Sequence, residues 1–317
     1  MGDPFDIVSG IQSVLSPAGP HAAWVAQLSW VMFGAGGLIL LLVVVMTALA
    51  IFAPAGFRQA VGQRRTVVIG GILFPLVVLA ALFLWVLNGS SALVTAGPPG
   101  LRVEVVGERW WWRVHYLDPE DRVHMVTANE IRIPTGMPVE FRLRTADVIH
   151  SFWVPSLAGK LDMIPGRINS YRFAVDKPGV YRGQCAEYCG EQHAKMAFYV
   201  VAMEPAAFED WYGAQTLPAA EPALASEELG RDVFEANGCG ACHTVRGTAA
   251  DGVIGPDLTH VGSRVSLAAG ILPNNRGTLA GWISSAQHIK PGNLMPSFDT
   301  LSGPELRALA SYLESLK

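Results

Sequence analysis

Residues 185–196 have the sequence Cys-Ala-Glu-Tyr-Cys-Gly-Glu-Gln-His-Ala-Lys-Met, which places two thiols, an imidazole and a thioether close together. These groups belong to Cys185, Cys189, His193 and Met196. Such soft ligands suit copper rather than hard cations such as Mg²⁺. A carrier with one copper ion needs one Cys, one downstream His and a weak Met. The second thiol therefore indicates two copper ions that share two bridging thiolates.

Two copper ions need a second imidazole from elsewhere in the chain. His150, within residues 147–153, is the best placed candidate. Two alternatives for Cys185 and Cys189 stay open, namely a disulfide on the oxidising side of a membrane and half of a zinc site. The alternative for Met196 is a core position in the strand that follows it.

The pattern resembles subunit II of the haem-copper respiratory oxidases. Their dinuclear copper centre, CuA, uses C-x-E-x-C-x-x-x-H-x-x-M, and every element of that pattern is present here. The resemblance implies six copper ligands: His150, Cys185, Glu187, Cys189, His193 and Met196. By its position Glu187 would give its backbone carbonyl to one copper. By analogy with the family, its side chain would also reach a Mg²⁺ ion at the boundary with the catalytic subunit.

The composition indicates a membrane protein. Of 317 residues, 50% are hydrophobic and only 16% are charged, and the mean hydropathy is positive. The net charge of −4 argues against a nucleic-acid partner. All four cysteines lie in two short motifs, so none remains for a further disulfide.

Two uncharged runs, at residues 24–53 and about 66–94, predict a transmembrane hairpin. The Phe74-Pro75 step predicts a kink in the second span. The loop at 54–65 carries three Arg and no acid, so it is predicted to be cytoplasmic, with residues 1–23 and the chain after 95 outside. Residues 1–23 do not have the pattern of an uncleaved signal peptide. Two buried helices of a soluble core are the alternative.

Residues 96–212 are predicted to form an all-β domain. Short runs rich in Val, Ile and Phe, at 101–106, 130–134, 139–144 and 171–175, predict an antiparallel sandwich or barrel. The resemblance specifies a cupredoxin, in which His150 would come from a strand next to Cys185. A short helix at 204–212 is expected to close this domain.

Trp110, Trp111 and Trp112 are consecutive, so strand alternation puts at least one ring on the opposite face from the others. In the resembled family an aromatic cluster lies between the copper and the electron donor. By that resemblance Trp110 is the candidate residue through which electrons reach the copper. Structural packing is the alternative.

A second redox motif follows a linker rich in Ala and Pro at 213–225. Cys239-Gly240-Ala241-Cys242-His243 is the C-x-x-C-H pattern of covalent haem c attachment, with His243 as an axial ligand. Met295 is the predicted sixth ligand, because it is the only Met after residue 203. The competitors are His260 and His288.

Residues 226–317 resemble a class I cytochrome c, an all-α domain. A helix is predicted to begin at Ser226, with two acids in its first turn. A closing helix is predicted at 302–316, with Ser302 and Glu305 as a capping box.

Together these features resemble oxidase subunit II with a fused cytochrome c. The resemblance implies electron transfer from an external donor through haem c and CuA to a haem-copper subunit I that reduces O₂. Neither span carries a His, so catalysis is expected in subunit I, which would assemble with this chain and other oxidase subunits. The expected setting is the bacterial inner membrane, with the redox domains on the periplasmic side. A cytochrome c or a quinol-oxidising complex is the expected donor.

Other functions share parts of this pattern. A nitric oxide reductase with a copper-containing electron-receiving subunit would share most motifs, and a stand-alone membrane-anchored electron carrier would need no catalytic partner. Nitrous oxide reductase is disfavoured by the spans and the haem motif. One departure from the family is Gln63-Arg64-Arg65-Thr66, where many relatives carry a glutamate near a proton channel. This departure removes the evidence for a role in proton entry.

Overall fold

The computed structural model describes residues 12–94 and 98–317, with 91–94 described by their backbone alone. The predicted outside segment therefore lies partly beyond the described residues, at 1–11. The chain divides into two compact units. One unit contains Gly97–Lys317 with the segment up to Ala22, and the other is Ala23–Ala96.

The apolar helices begin with α1 (Pro20–Phe52), followed by α2 (Ala55–Val61), α3 (Arg64–Val68), a π-helical turn at Ile69–Leu73 and α4 (Phe74–Val94). Pro20–Phe52 and Arg64–Ser90 are each long and apolar enough to cross a membrane, and the most apolar window of neither is buried within the chain. That exposure argues against the core helices of a soluble protein. The π turn ends directly before the Phe74-Pro75 step. Pro75 has no N–H to donate, so an irregularity belongs at this point.

Ten strands form the β domain as two five-stranded sheets. They are β1 (Leu101–Glu108), β2 (Trp111–Leu117), β3 (Val123–Ala128), β4 (Glu130–Pro134), β5 (Val139–Thr145), β6 (His150–Trp153), β7 (Leu161–Met163), β8 (Asn169–Phe173), β9 (Gly179–Cys185) and β10 (Ala197–Met203). The strand orders are β3-β2-β1-β5-β8 and β4-β10-β9-β6-β7. Between the sheets lie fully buried aromatic side chains, including Trp112, Phe141, Phe152 and Phe198.

The predicted β sandwich is confirmed, with one difference in strand direction. The β1–β5 and β4–β10 pairs are parallel, whereas the sequence predicted an antiparallel fold. The antiparallel β6–β9 pair places Phe152 opposite Cys185. This register brings His150 and Cys185 to the same end of one sheet.

Helix α5 (Pro205–Thr216) closes the β domain and runs past Tyr212, so residues 213–216, which were predicted to be linker, are helical. The last domain contains α6 (Ala225–Ala236), α7 (Arg276–Ile289), α8 (Gly303–Ser315) and a short ribbon of β11 (Ser266–Leu267) and β12 (Leu272–Pro273). Helix α6 begins one residue before the predicted Ser226. At the start of α8, Ser302 and Glu305 form the predicted capping box.

The helical domain is held together where α6 crosses α8. Gly230 lies against the backbone of Ala308 so closely that an added Cβ would lie 2.1 Å from the Ala308 carbonyl oxygen. Phe234 and Tyr312 pack edge to face beside this crossing, with ring centroids 5.9 Å apart. The small residue allows close approach of the two helices, and the aromatic rings supply the apolar burial.

Candidate functional site

The predicted copper ligands converge at one pole of the β sandwich. Cys185 ends β9 and His150 begins β6, while Cys189, His193 and Met196 lie on the loop between β9 and β10. Around Cys185, the sulfur lies 3.8 Å from His150 Nδ1 and 3.2 Å from the Glu187 carbonyl oxygen. The Cys189 sulfur lies 3.6 Å from His193 Nδ1 and 3.8 Å from the Met196 sulfur.

These separations fit shared coordination of metal ions. The two thiol sulfurs are 3.7 Å apart, so they form no disulfide, which needs about 2.05 Å. Two tetrahedral ligands that each lie about 2.0 to 2.3 Å from one ion are about 3.3 to 3.8 Å apart. Each sulfur has its own imidazole and one weaker donor beside it. The donor set therefore suits two copper ions better than half of a zinc site.

The two thiols influence each other's ionisation. Hydrogen bonding from Cys189, with help from His150, lowers the pKa of Cys185. The same hydrogen bond raises the pKa of Cys189, because this thiol keeps the proton that it donates to Cys185, and burial and the charge of a Cys185 thiolate raise it further. Ligation by metal ions would require both thiolates, so binding would release protons.

Asp147 and Gly107 fix the His150 ring. The Asp147 carboxylate lies 2.8 Å from His150 Nε2, which leaves Nδ1 directed at Cys185. An added Cβ on Gly107 would lie 2.7 Å from the ring, so a side chain there has no room. A carboxylate behind a ligating imidazole sets its tautomer and orientation.

The C-x-x-C-H motif lines a cavity of about 450 Å³ in the helical domain. Cys239, Cys242 and His243 form one part of its wall, and Met295 lies in the same lining. Apolar side chains complete much of the remainder, including Leu279, Trp282, Ile283, Leu294 and Phe298. A mainly apolar cavity with two thiols, an imidazole and a thioether fits a covalently attached haem.

Hydrogen bonds hold the side chain of His243 and the backbone of Met295. His243 Nδ1 donates to the Pro256 carbonyl at 2.8 Å, which leaves Nε2 free to bind iron. Burial lowers the pKa of His243, which favours the neutral imidazole needed for ligation. The Met295 backbone N–H donates to Asn293 Oδ1 at 2.7 Å, and Gln287 donates to the Met295 carbonyl at 2.7 Å.

Arg264 supplies a further sign that the cavity takes a charged group. It lines the cavity, and its buried Nε has no hydrogen-bond partner among the described residues. A buried guanidinium N–H group in the cavity wall without such a partner is suited to donate a hydrogen bond to the carboxylate of a haem propionate.

Neither competing histidine belongs to this cavity lining. His260 is buried, with Nε2 3.1 Å from the Leu217 carbonyl oxygen. His288 is exposed on α7. The geometry therefore favours Met295 as the partner of His243.

Trp110 touches both centres. Its indole Nε1 donates to the Cys189 carbonyl at 2.9 Å, and its ring also lines the cavity of the helical domain. Trp112 is fully buried, while Trp111 is partly exposed beneath the Arg113 guanidinium. The first and third rings are thus buried and the second faces the other way, which is one of the two arrangements that strand alternation allowed.

The carboxylate of Glu187 points away from the sulfur cluster. Its Oε2 lies 3.8 Å from Lys160 Nζ, and the side chain is half exposed. The backbone carbonyl of Glu187 thus faces Cys185 while its carboxylate faces Lys160, and both expected roles of Glu187 stay predictions.

The sequence alone indicated no role for three residues near these centres. Asp147 had a usable signal, because it lies three residues before His150. Arg264 and Lys290 had none, because nothing near either residue in the sequence indicates a buried charged side chain, and the partners of Lys290 come from distant parts of the chain. Lys290 is buried beside Trp110, although lysine is normally exposed.

Comparison with known proteins agrees with this architecture. Residues 101–203 match the family described as cytochrome c oxidase subunit II, periplasmic domain, and residues 227–317 match the cytochrome c family. The cytochrome c oxidase subunit 2 of Alkalihalophilus pseudofirmus is 31% identical over 96% of this chain and 91% of its own length. That of Bacillus subtilis is 34% identical over 68% of this chain and 62% of its own length.

Among solved structures, the periplasmic domain of subunit II of cytochrome oxidase from Bradyrhizobium japonicum is 28% identical. It aligns with 38% of this chain and 96% of that structure, with a TM-score of 0.36. The two matched families imply copper in the β domain and haem c in the helical domain. With two apolar helices, a cupredoxin-like domain, a cytochrome c domain and a relative that spans nearly the whole chain, this protein belongs to the cytochrome c oxidase subunit 2 family.

Proposed function

We propose that the chain passes electrons from an external donor through haem c to a dinuclear CuA centre, and then to subunit I of a haem-copper oxidase that reduces O₂ to water. The position of Trp110 carries this proposal, because the same side chain reaches a copper-ligand backbone and the haem cavity. Together the bound copper pair and haem would supply one-electron redox chemistry. The protein residues hold and shield them.

In the copper centre, Cys185 and Cys189 would bridge the two ions, and His150 and His193 would each complete one end. The Glu187 carbonyl would be a weak ligand near Cys185. Met196 would be its counterpart near Cys189. The buried sulfurs exclude water from the centre, which keeps its surroundings nearly unchanged during electron transfer.

In the helical domain, Cys239 and Cys242 would attach the haem, with His243 and Met295 as axial ligands. The Pro256 carbonyl keeps the His243 ring oriented. Arg264 would bind a propionate through the donor that has no protein partner among the described residues. A thioether axial ligand raises the haem potential, which suits a carrier on the way to O₂.

The chain would be one subunit of a larger membrane complex. The two apolar helices would anchor the chain in the bacterial inner membrane beside subunit I and other oxidase subunits, with the redox domains on the periplasmic side. The Glu187 carboxylate would join a Mg²⁺ site at the boundary with subunit I. A cytochrome c or a quinol-oxidising complex would reduce haem c.

The test is to purify the chain from membranes in mild detergent with whatever accompanies it. We expect a large multispan partner and cyanide-sensitive O₂ uptake with a reduced cytochrome c or an artificial donor. The Cys189→Ser variant should retain the partner and lose the uptake. NO consumption without O₂ uptake would favour a nitric oxide reductase, and purification without any partner would favour a stand-alone carrier.

A further inference from the structure

Lys290 follows the end of α7 and is only 3% exposed. Its ammonium donates to the Trp110 carbonyl, to the Lys195 carbonyl at 2.8 Å and to the Ala268 carbonyl at 3.3 Å. A lysine ammonium has three N–H donors, so this one is fully used. Two acceptors belong to the β domain and one to the helical domain, so the side chain joins the two domains.

The position of these acceptors matters for electron transfer. One is the backbone of Trp110 itself, and another precedes Met196 directly in the chain. Lys290 also lies five residues before Met295, on the loop that carries this predicted haem ligand. The ammonium therefore ties that loop to the backbone beside the copper ligands.

Close packing accompanies the hydrogen bonds. Gly292 has a φ of +78°, and a Cβ there would be 3.5 Å from the Trp110 ring. That glycine conformation brings the loop against the indole. Trp110 is consequently only 8% exposed beneath the helical domain.

Other contacts cross the same boundary, but each supplies fewer bonds or lies nearer to solvent. Exposed Lys195 donates to the Ile289 carbonyl at 2.7 Å. Further from Trp110, Glu130 accepts from the Val265 N–H at 2.7 Å and Arg132 donates to the Ser263 carbonyl at 2.9 Å. Among the described residues, Lys290 alone is a buried cation that binds backbone on both sides of the boundary.

We propose that Lys290 is a positioning residue that holds the cytochrome c domain against Trp110, so that haem c stays docked in the geometry for electron transfer to the copper centre. The proposal rests on the proposed function, since it assumes that haem c reduces CuA. Removing the ammonium would leave buried carbonyls without a donor at the boundary. The docked arrangement would then open more often, and tunnelling falls steeply with distance.

The test uses the intact oxidase complex with the variants Lys290→Gln and Lys290→Arg, and Lys195→Gln as the matched control. Lys195 crosses the same boundary, but through one exposed bond. Haem c is reduced by a flash-excited ruthenium complex with a sacrificial electron donor, and its reoxidation by copper is followed optically. Hydroxyl-radical labelling of Trp110, read by mass spectrometry, reports docking independently of activity, and the potentials of both centres are measured for each variant.

We expect transfer to slow about tenfold in Lys290→Gln, with more labelling of Trp110, and the control to stay near wild type. Lys290→Arg should lie between them, because it keeps the charge in a different shape; it also supplies the comparison if Lys290→Gln does not accumulate. Unchanged transfer and labelling in the Lys290 variants would overturn the proposal. Equal slowing in the control, or slowing explained by altered potentials with Trp110 still protected, would also overturn it. Absence of haem-to-copper transfer in the wild type would instead refute the proposed function itself.

Discussion

Asp147 is the residue whose carboxylate orients His150, one of the proposed copper ligands. We expect Asp147→Ala to lower copper affinity by about 10- to 100-fold, because His150 loses the carboxylate that directs Nδ1 toward Cys185. Competition with a copper chelator, followed by metal analysis, measures the change. Asp176→Ala, at an exposed carboxylate in the same domain, is the control. Equal affinity in the two variants would show that Asp147 does not support the ligand.

The bridging thiolates can be tested one at a time. Cys185→Ser or Cys189→Ser should abolish the mixed-valence copper signal and leave the haem spectrum intact, because the two centres have separate ligands. Met196→Leu should change the copper potential more than copper occupancy, since a thioether is a weak ligand. Electron paramagnetic resonance and visible spectra measure both effects. Retention of two copper ions and their signal in either Ser variant would contradict bridging by thiolates.

A local sequence pattern identified most of the proposed copper ligands. Five of the six proposed copper ligands come from residues 185–196, where spacing alone indicated the chemistry. His150 needed the resemblance as well as its position. Lys290 and Arg264 could not be identified this way, since charged side chains are ordinarily solvated and nothing near them in sequence indicates burial.

Replacing either of two helical glycines of the cytochrome c domain by alanine should change the stability of this domain, in opposite directions. Gly230→Ala should destabilise the domain by several kcal/mol, because its Cβ would collide with the backbone of α8. Gly281→Ala on α7 meets nothing within 4 Å and should stabilise the domain by up to about 1 kcal/mol. Thermal loss of the haem spectrum measures both. Similar effects from the two changes would contradict the close crossing of α6 and α8.

The β1–β2 pair predicts a dependence of stability on pH. Glu104 and His115 are opposite each other in register, and a hydrogen bond from His115 lowers the pKa of Glu104. Because the folded state favours the carboxylate, this stabilisation is present above the unfolded pKa of about 4.3 and is lost as the pH falls through the lower folded pKa.

We therefore expect Glu104→Gln to destabilise the β domain by about 0.5 to 1 kcal/mol at neutral pH and by progressively less in acid. Thermal loss of the copper absorbance, recorded against pH, measures this difference. Glu120→Gln, in an exposed turn, is the control. A difference that persists unchanged at low pH would count against stabilisation by the Glu104 carboxylate.

Helices and strands could be predicted from the sequence where the pattern that specifies them lies in neighbouring residues. The apolar spans and the Ser302 capping box depend on neighbouring residues, and the structure contains them. The parallel β1–β5 and β4–β10 pairs were not predictable, because alternation along a strand does not state the direction of its partner. The extension of α5 to Thr216 was also missed, since Ala and Pro in 213–225 suggested a linker throughout.

At the scale of the whole molecule, the order of the two centres can be tested by removing one metal. Copper chelation under reducing conditions should stop O₂ uptake by the complex, while an external donor still reduces haem c. Visible spectroscopy and an oxygen electrode measure the two effects, and restoring copper should restore uptake. Continued O₂ uptake after complete copper loss would show that electrons reach O₂ by a route that does not include the copper centre.

The docked arrangement of the two redox domains could not be predicted from sequence. The linker predicted a tether and thus a high effective concentration of haem near copper. The structure adds that Trp110 lies buried between the proposed copper ligands and the cavity lined by Cys239, Cys242 and His243. This arrangement depends on contacts between residues more than a hundred positions apart in the chain, such as Lys290 with Trp110 and Arg132 with Ser263.

The proposed function requires that electrons pass from haem c to copper within one chain. Haem c in the intact complex is reduced by a flash-excited ruthenium complex with a sacrificial electron donor, in the absence of soluble cytochrome c, while haem and copper absorbance are recorded together. We predict first-order haem oxidation matched one for one by copper reduction, at a rate independent of protein concentration and absent in Cys189→Ser. Haem c that stays reduced, or that transfers electrons at a rate proportional to protein concentration, would contradict the account.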